Sequence, residues 1–309
     1  MVDQPSRRGF ALLTVLWLLS TIGVVALAAT ALGRDEFNAA SNRIALERAT
    51  WIAEGCAAEL RAVIADSLRS TEKVPDAQDR LWTRLRSTIE TARFSDSTCV
   101  VEAEAAGDRL DVNTATPEQL DRLFDAAGID GDPSSLRDAL LDWIDPDDEA
   151  RPSGAEADWY RVAGRRLPRN APIADAREIT RIKGFEGLAS LERFISTEDP
   201  QISVATAPPT VLAAVPAFSP AIVDRILQLR AANRPINDLS IVLAGVPESD
   251  ADSAMARFPE ILRVTTLVPP VWIVTVKAAI RPTAPAIELE QRLARNGSGP
   301  IVMRTRVTP

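Results

Sequence analysis

From Phe10 to Leu32, 23 positions pass without one charged side chain. At about 1.5 Å per helical residue that run is roughly 35 Å long, enough to cross the hydrocarbon of a bilayer. Arg7 and Arg8 stand before it and Arg34, Asp35 and Glu36 after it. The positive-inside rule therefore predicts a cytoplasmic N-terminus, with everything beyond residue 33 on the other side of the membrane. A cleaved secretory signal has a similar layout, but this run exceeds an apolar signal core of about 7–15 residues and no turn-forming boundary follows it. Further on, Phe37, Ile44 and Trp51 recur every seven residues and Ile52, Cys56, Leu60, Ile64 and Leu68 every four, with no proline until Pro75. The spacing predicts one helix from Phe10 to about Ser70, its first half in lipid and its second half presenting an apolar stripe to a soluble domain.

Alternation then replaces helical spacing. Thr98 to Ala105 reads as a strand, Ala106-Gly107-Asp108 as a turn, and Arg109 to Asn113 as the returning strand of a β-hairpin. Cys99 shares a face with Val101 and Ala103, and Cys56 lies on the helix stripe, so both thiols point into one helix–sheet interface. Outside the cytoplasm such a pair tends to oxidise, which permits a Cys56–Cys99 disulfide. Two buried free thiols are the alternative, because periodicity does not fix the Cβ separation a bridge requires. From Thr114 the pattern turns helical, beginning with the capping box and N1 proline of Thr116-Pro117-Glu118-Gln119. Val112 to Leu120 is echoed by Val204 to Leu212, 92 residues on, as a second strand-to-helix turn. Strands return at Ile261–Leu267, Val271–Ile280, Ile287–Arg292 and Ile301–Val307. Strands on both sides of a helical block predict an α-domain inserted into a sheet domain.

Charge and composition narrow the chemistry. The 309 residues carry 43 acidic and 35 basic side chains, a net charge of −8, and no histidine. The absence of histidine removes Ser/His/Asp and Cys/His nucleophile systems, His-ligated zinc and imidazole acid–base catalysis, so a non-enzymatic role is expected. Acidic side chains concentrate at Asp142, Asp145, Asp147, Asp148, Glu149, Glu156 and Asp158. Counting Asp145 as one, Asp147, Glu149, Ser153 and Glu156 fall at three, five, nine and twelve of a calcium-loop spacing. Ala150 stands where that loop needs glycine and Pro152 follows, so calcium in a different loop geometry and a solvated acidic loop are the two readings. A paired-carboxylate glycosidase has nothing in its favour, as no burying cleft is indicated.

Arg8-Gly9-Phe10-Ala11-Leu12-Leu13 resembles the cleavage site of type IV pilin precursors. Taken with Asp111 to Ala115, Asp142-Trp143-Ile144-Asp145, Gly154-Ala155-Glu156 and Val204 to Pro208, the whole chain resembles the general secretion pathway protein K family, minor pseudopilins of type II secretion. The resemblance implies an α+β, type IV pilin-like fold, a long N-terminal helix on an antiparallel sheet, with a large inserted all-α domain. It divides the chain into a leader (1–9), a transmembrane helix (10–33), a first pilin-like part (34–113), an inserted α-domain (114–200), a second helical segment (201–258) and C-terminal strands (259–309). It also implies cleavage after Gly9, N-methylation of Phe10, and a pseudopilus-tip position reached from the inner membrane, with the bulk of the chain periplasmic. The implied partners are the minor pseudopilins I and J, the major pseudopilin, the prepilin peptidase and secreted cargo; calcium is expected in the helical domain. Thr14 stands fifth from Phe10, where most pilins carry a glutamate that pairs with a neighbour's N-terminal ammonium. A tip subunit has no subunit above it to supply that ammonium.

A different class stays in view. Thr180 to Gly187 and the Thr-Ala-Pro-Pro helix start resemble helix-hairpin-helix modules of membrane-anchored DNA receptors, which offer backbone N–H groups to phosphate. Residues 114–200 hold 19 acidic against 11 basic side chains, which argues against nucleic acid.

Overall fold

The structure is a computed structural model that describes residues 7–71, 74, 76–92, 99–129, 131–280, 286–296 and 299–308. Helix α1 (Arg7–Ser70) is continuous over 64 residues, roughly 95 Å at the usual rise. Short helices α2 (Ala77–Thr83) and α3 (Leu85–Thr91) lead to strand β1 (Cys99–Ala105). The chain then enters the helical insertion and re-emerges as β6 (Val271–Ala278), β7 (Ile287–Asn296) and β8 (Gly299–Thr308). These four strands form one antiparallel sheet in the order β1-β6-β7-β8. Burial alternates along β6 so that Trp272, Val274, Val276 and Ala278 face α1, as a one-sided sheet requires.

Of the two series read along α1, the four-residue one, Cys56, Leu60, Ile64 and Leu68, faces the sheet. Ala45, Ala49, Ala53, Cys56, Ala57, Leu60, Ile64 and Leu68 are buried, a set four residues apart that drifts slowly around the helix. Phe37 and Trp51 are each 74% exposed and Ile44 is 51% exposed, so the seven-residue series lies outward. Two tryptophans fasten α2 to the sheet. The Trp82 indole N–H donates to the Pro269 carbonyl at 2.8 Å, and the Trp272 indole N–H donates to the Trp82 carbonyl at 2.9 Å.

The insertion consists of two modules with a shared design. The first opens with β2 (Leu110–Asp111), runs through α4 (Pro117–Ala126), α5 (Pro133–Ile144), α6 (Ala157–Val162) and two 3-10 turns, and closes with β3 (Ile195–Ser196). The second opens with β4 (Ile202–Ser203), runs through α7 (Pro209–Ala213), α8 (Pro220–Ala231), α9 (Ser240–Leu243), α10 (Glu248–Ala256) and α11 (Phe258–Val264), and closes with β5 (Thr265–Thr266). In each, the first and last strands form a two-stranded parallel pair. The echoed sequence is the entry of each module. Ala115 N–H donates to Asp111 O at 2.9 Å and Ala207 N–H to Ser203 O at 3.0 Å, the same turn twice. The insertion has its own apolar core, which shares no residue with the core under α1.

Two sequence expectations fail. Residues 99–113 make no hairpin: β1 pairs with β6, while β2 pairs in parallel with β3. Gly107, at φ +89°, turns the chain away, and its carbonyl accepts from Ser203 N–H at 2.9 Å. Ile261–Leu267 is not one strand, because Ile261 and Val264 point inward from α11 and only Thr265–Thr266 is extended. Pro259 near the start of α11 suits a helix's first turn, where its missing N–H is not needed.

A Cβ at Gly107 would press on Gln201 O and lie 2.8 Å from Ser203 N, both rigid backbone; at Gly128, with φ +63°, nothing stands within 4 Å. Gly107→Val is expected to cost about 2–3 kcal/mol in denaturant unfolding and Gly128→Ala about 1 kcal/mol or less. Equal effects would remove the special status of the Gly107 crossing.

Candidate functional site

Two regions carry the functional case: the exposed length of α1 and the acidic loop after α5. From Leu12 to Leu32 the large apolar side chains of α1 are exposed, among them Leu13, Leu16, Trp17, Leu19, Val25 and Leu27, and this is the one stretch among the described residues long and apolar enough to cross a membrane. Gly9 and Phe10 lie in its first turns and Thr14 follows one turn later. The outward series Phe37, Ile44 and Trp51 continues the apolar surface beyond the span. Cys56 of α1 and Cys99 of β1 form a disulfide across a Cα separation of 6.6 Å, joining the helix to the first strand of the sheet.

The acidic loop is organised by α5. Asp132 caps that helix through Ser134 N–H, and the positions of Asp138 and Asp142, one turn apart, bring both carboxylates to a buried face. Asp142 is fully buried and accepts from Arg151, at 2.6 Å from the guanidinium and at 3.2 and 3.3 Å from the backbone N–H. The same guanidinium donates to Asp145 at 2.5 Å. Gly154 passes so close to the Asp142 carboxylate that any side chain there would collide with it. Glu156 is buried, and neither of its carboxylate oxygens has a hydrogen-bond partner; one oxygen of Asp145 is likewise unpartnered. Beneath lie Trp143 and Tyr160, edge to face at 5.2 Å.

Of the five residues spaced like a calcium loop, the structure brings Asp145 and Glu156 into this cluster. Asp147 and Glu149 are exposed, with Asp147 Oδ1 accepting from Glu149 N–H at 2.9 Å, and Ser153 offers its N–H to Asp138 at 3.4 Å. Among the described residues no three acidic, cysteine or histidine side chains are gathered as metal ligands. The spacing missed Asp142 because it counts along one loop, whereas this carboxylate arrives from the preceding helix. Its i, i+4 relation to Asp138 on a helix otherwise apolar on that face was the available signal. Burial first, and then the charges of Asp142, Asp145 and Asp148, push the Glu156 carboxyl up to about 7 from its ordinary 4.5.

The helix-hairpin-helix reading finds no support. Gly184 and Gly187 do take positive φ, but the Lys183 ammonium of that turn is held by the carbonyls of Gly154 at 2.9 Å and Ser153 at 3.2 Å, and its N–H donates to Tyr160 Oη at 3.0 Å.

Residues 100–197 match the family model of type II secretion system protein K. A curated relative, type II secretion system protein K of Klebsiella pneumoniae, is 28% identical over 248 residues, covering 73% of this chain and 76% of the relative. Both likenesses are to protein K of type II secretion. Among solved structures, one from the GspK–GspI–GspJ complex of the enterotoxigenic Escherichia coli type 2 secretion system superposes with a TM-score of 0.61 at 17% identity. It covers 85% of this chain and 96% of that one. At that identity the likeness speaks for the fold, a pilin-like α+β body with a helical insertion. Protein K is a membrane-anchored component of the secretion machinery, and the exposed apolar half of α1 fits that role.

The pH response of Glu156 tests the site's electrostatics. A carboxyl raised in the folded chain binds its proton more tightly there than when unfolded, so its contribution to stability falls as pH rises from about 4.5 to about 7. In chelator, Glu156→Gln is expected to melt with the wild type at pH 5 and about 2–4 °C above it at pH 8, the scale of ~1 kcal/mol in a domain of this size. Parallel melting curves at both pH values would show that Glu156 is not strained.

Proposed function

We propose that this chain is a non-enzymatic minor pseudopilin that sits at the tip of the type II secretion pseudopilus, assembled with the I and J minor pseudopilins. The observation that carries the reading is α1: one uninterrupted helix whose first half is apolar and unburied and whose second half is fixed to a sheet on one face only. Such a helix anchors a subunit in the membrane and offers Phe37, Ile44 and Trp51 to the helices of neighbouring subunits. The similar solved chain belongs to a complex of K with I and J, and the same association follows for this chain. Gly9 is the residue read by the prepilin peptidase and Phe10 the new, methylated N-terminus. The major pseudopilin and secreted cargo complete the partners, with the N-terminus cytoplasmic and the rest periplasmic. Thr14 in place of a carboxylate suits a subunit with none above it.

Calcium belongs to the same proposal. The donor chemistry suits a hard cation: Asp145 and Glu156 bring three buried carboxylate oxygens without a partner, whereas Asp142 is already taken up by Arg151. These side chains are not gathered as a ligand set, so calcium would have to draw Asp145 and Glu156 together, and relief of their mutual repulsion would be the gain. By mass action, calcium at about 100 times its dissociation constant would add about 2.7 kcal/mol. Melting of the full chain in calcium and in chelator is expected to differ by several degrees, and the difference to vanish in Glu156→Gln but survive Glu149→Gln. Coincident wild-type curves would leave the loop to Arg151 alone.

Assembly has its own test. Because Trp51 is exposed, Trp51→Glu is expected to leave the melting temperature unchanged while lowering recovery of a complex with I and J about tenfold, or ~1.4 kcal/mol. Wild-type recovery would place the partner helices elsewhere. Gly9→Leu is expected to leave the leader uncut, read by intact mass.

A further inference from the structure

Where the second helical module meets the sheet body, the chain leaves a cleft of about 620 Å³ between α2 and α3 on one side and the end of α8 on the other. That is within the usual size of a small-molecule site. Two arginine pairs line it. Arg80 and Arg84 lie four residues apart, on α2 and just after it, so both leave the helix on one side. Arg230 and Arg234 lie four apart across the end of α8, where Asn233 takes a left-handed φ of +55°. Four guanidinium groups are thus gathered in a chain whose net charge is −8. Like charges at this spacing cost stability, and an anion between them would relieve the cost.

The acids nearby do not neutralise them. Three carboxylates line the cleft, those of Asp76, Asp79 and Glu90. Asp79 pairs with Arg295, while Asp76 and Glu90 are exposed and form no ion pair among the described residues. Arg86, a fifth arginine on the wall, is already paired with Asp108 at 3.0 Å and is set aside. Arg80 and Arg234 have neither an ion pair nor a side-chain hydrogen bond among the described residues. Arg84 joins the two walls by donating to the Asn233 carbonyl at 2.6 Å, a contact that brings no opposite charge. Arg230 donates to the carbonyls of Val204 and Ala207, and Asp108 is the one acid that offsets its burial. Two guanidinium groups therefore keep all their donors free, beside two more whose charge is met only in part.

A guanidinium fork matches the paired oxygens of phosphate and carboxylate. A single acidic group would meet part of this charge, whereas two or more on one compact skeleton would meet both walls. We propose that this cleft binds a small multivalent anion, carrying two or more phosphate or carboxylate groups, with Arg80 and Arg234 as its hydrogen-bond donors and Arg84 and Arg230 adding charge. Bound there, the anion ties the second helical module to α2, across a junction where the two apolar cores share no residue. This inference does not depend on the tip position or on the I and J association.

Calorimetric titration of the full chain in nonionic detergent, free of calcium and at about 0.15 M salt, tests it. Inorganic pyrophosphate and citrate are the probes, and acetate at equal ionic strength is the comparison. Pyrophosphate or citrate is expected to bind with a dissociation constant below about 1 mM, the tighter of the two naming the acidic group, while acetate gives no saturable heat. The double variant Arg80→Gln, Arg234→Gln is expected to weaken binding about tenfold or more. Arg166→Gln, at an exposed arginine outside the cleft, is expected to change nothing. The double variant Asp76→Asn, Glu90→Gln removes two acids instead and is expected to tighten binding about threefold, so the result does not hang on the folding of one variant. No saturable binding of either probe, equal binding of acetate, or equal weakening by Arg166→Gln would each overturn the proposal.

Discussion

The seam between α1 and the sheet is the contact on which the structure beyond the apolar span rests. Alanines at 45, 49, 53 and 57 let the helix backbone lie close to the strands, and Leu60, Ile64 and Leu68 then fill the wider space toward the α2 end. Only one face of the helix is consumed in this way. An amphipathic helix that buried its whole circumference would have nothing left for neighbouring subunits, and one that buried none would not hold a domain. The division of α1 into a lipid part, a packed face and an outward apolar face is therefore already an assembly device at the level of local structure.

The insertion leaves and rejoins this body within a small region. Chain crossing at Gly107, the Arg86–Asp108 ion pair at 3.0 Å and the half-buried Arg230 meet there. Arg230 donates to the carbonyls of Val204 and Ala207, each at 2.6 Å, and burial lowers its guanidinium to about 10. It stays charged at any physiological pH, so the entry turn of the second module is held by a permanent cation. Such a node positions two modules without merging their core with that of the sheet.

Legibility in the sequence followed the range of each interaction. The long helix, the last three strands and the repeated strand-to-helix turn are local patterns and were readable, including the facing of Cys99 with Val101 and Ala103. The supposed hairpin failed because the partner of β1 lies beyond the whole insertion, at Val271–Ala278, and no local signal names it. The outward series Phe37, Ile44 and Trp51 was misassigned because a seven-residue and a four-residue period both describe helix faces, and only packing tells which is used. The acidic loop was legible as a concentration of charge. Its true focus, Asp142 held by Arg151 beside the unpartnered Glu156, depends on a helix, a loop and a glycine that come together only in three dimensions.

The closure of each helical module by its own parallel strand pair has a mechanical consequence. Tension drawn along the chain from the membrane passes from α1 through the Cys56–Cys99 bond into β1, and across the β1–β6 ladder into the rest of the sheet. The modules enter and leave beside one another, so little of that load runs through their interiors. They ride on the shaft as side loads. A subunit built this way can be pushed or pulled by its stem while the residues of its helical head keep their geometry.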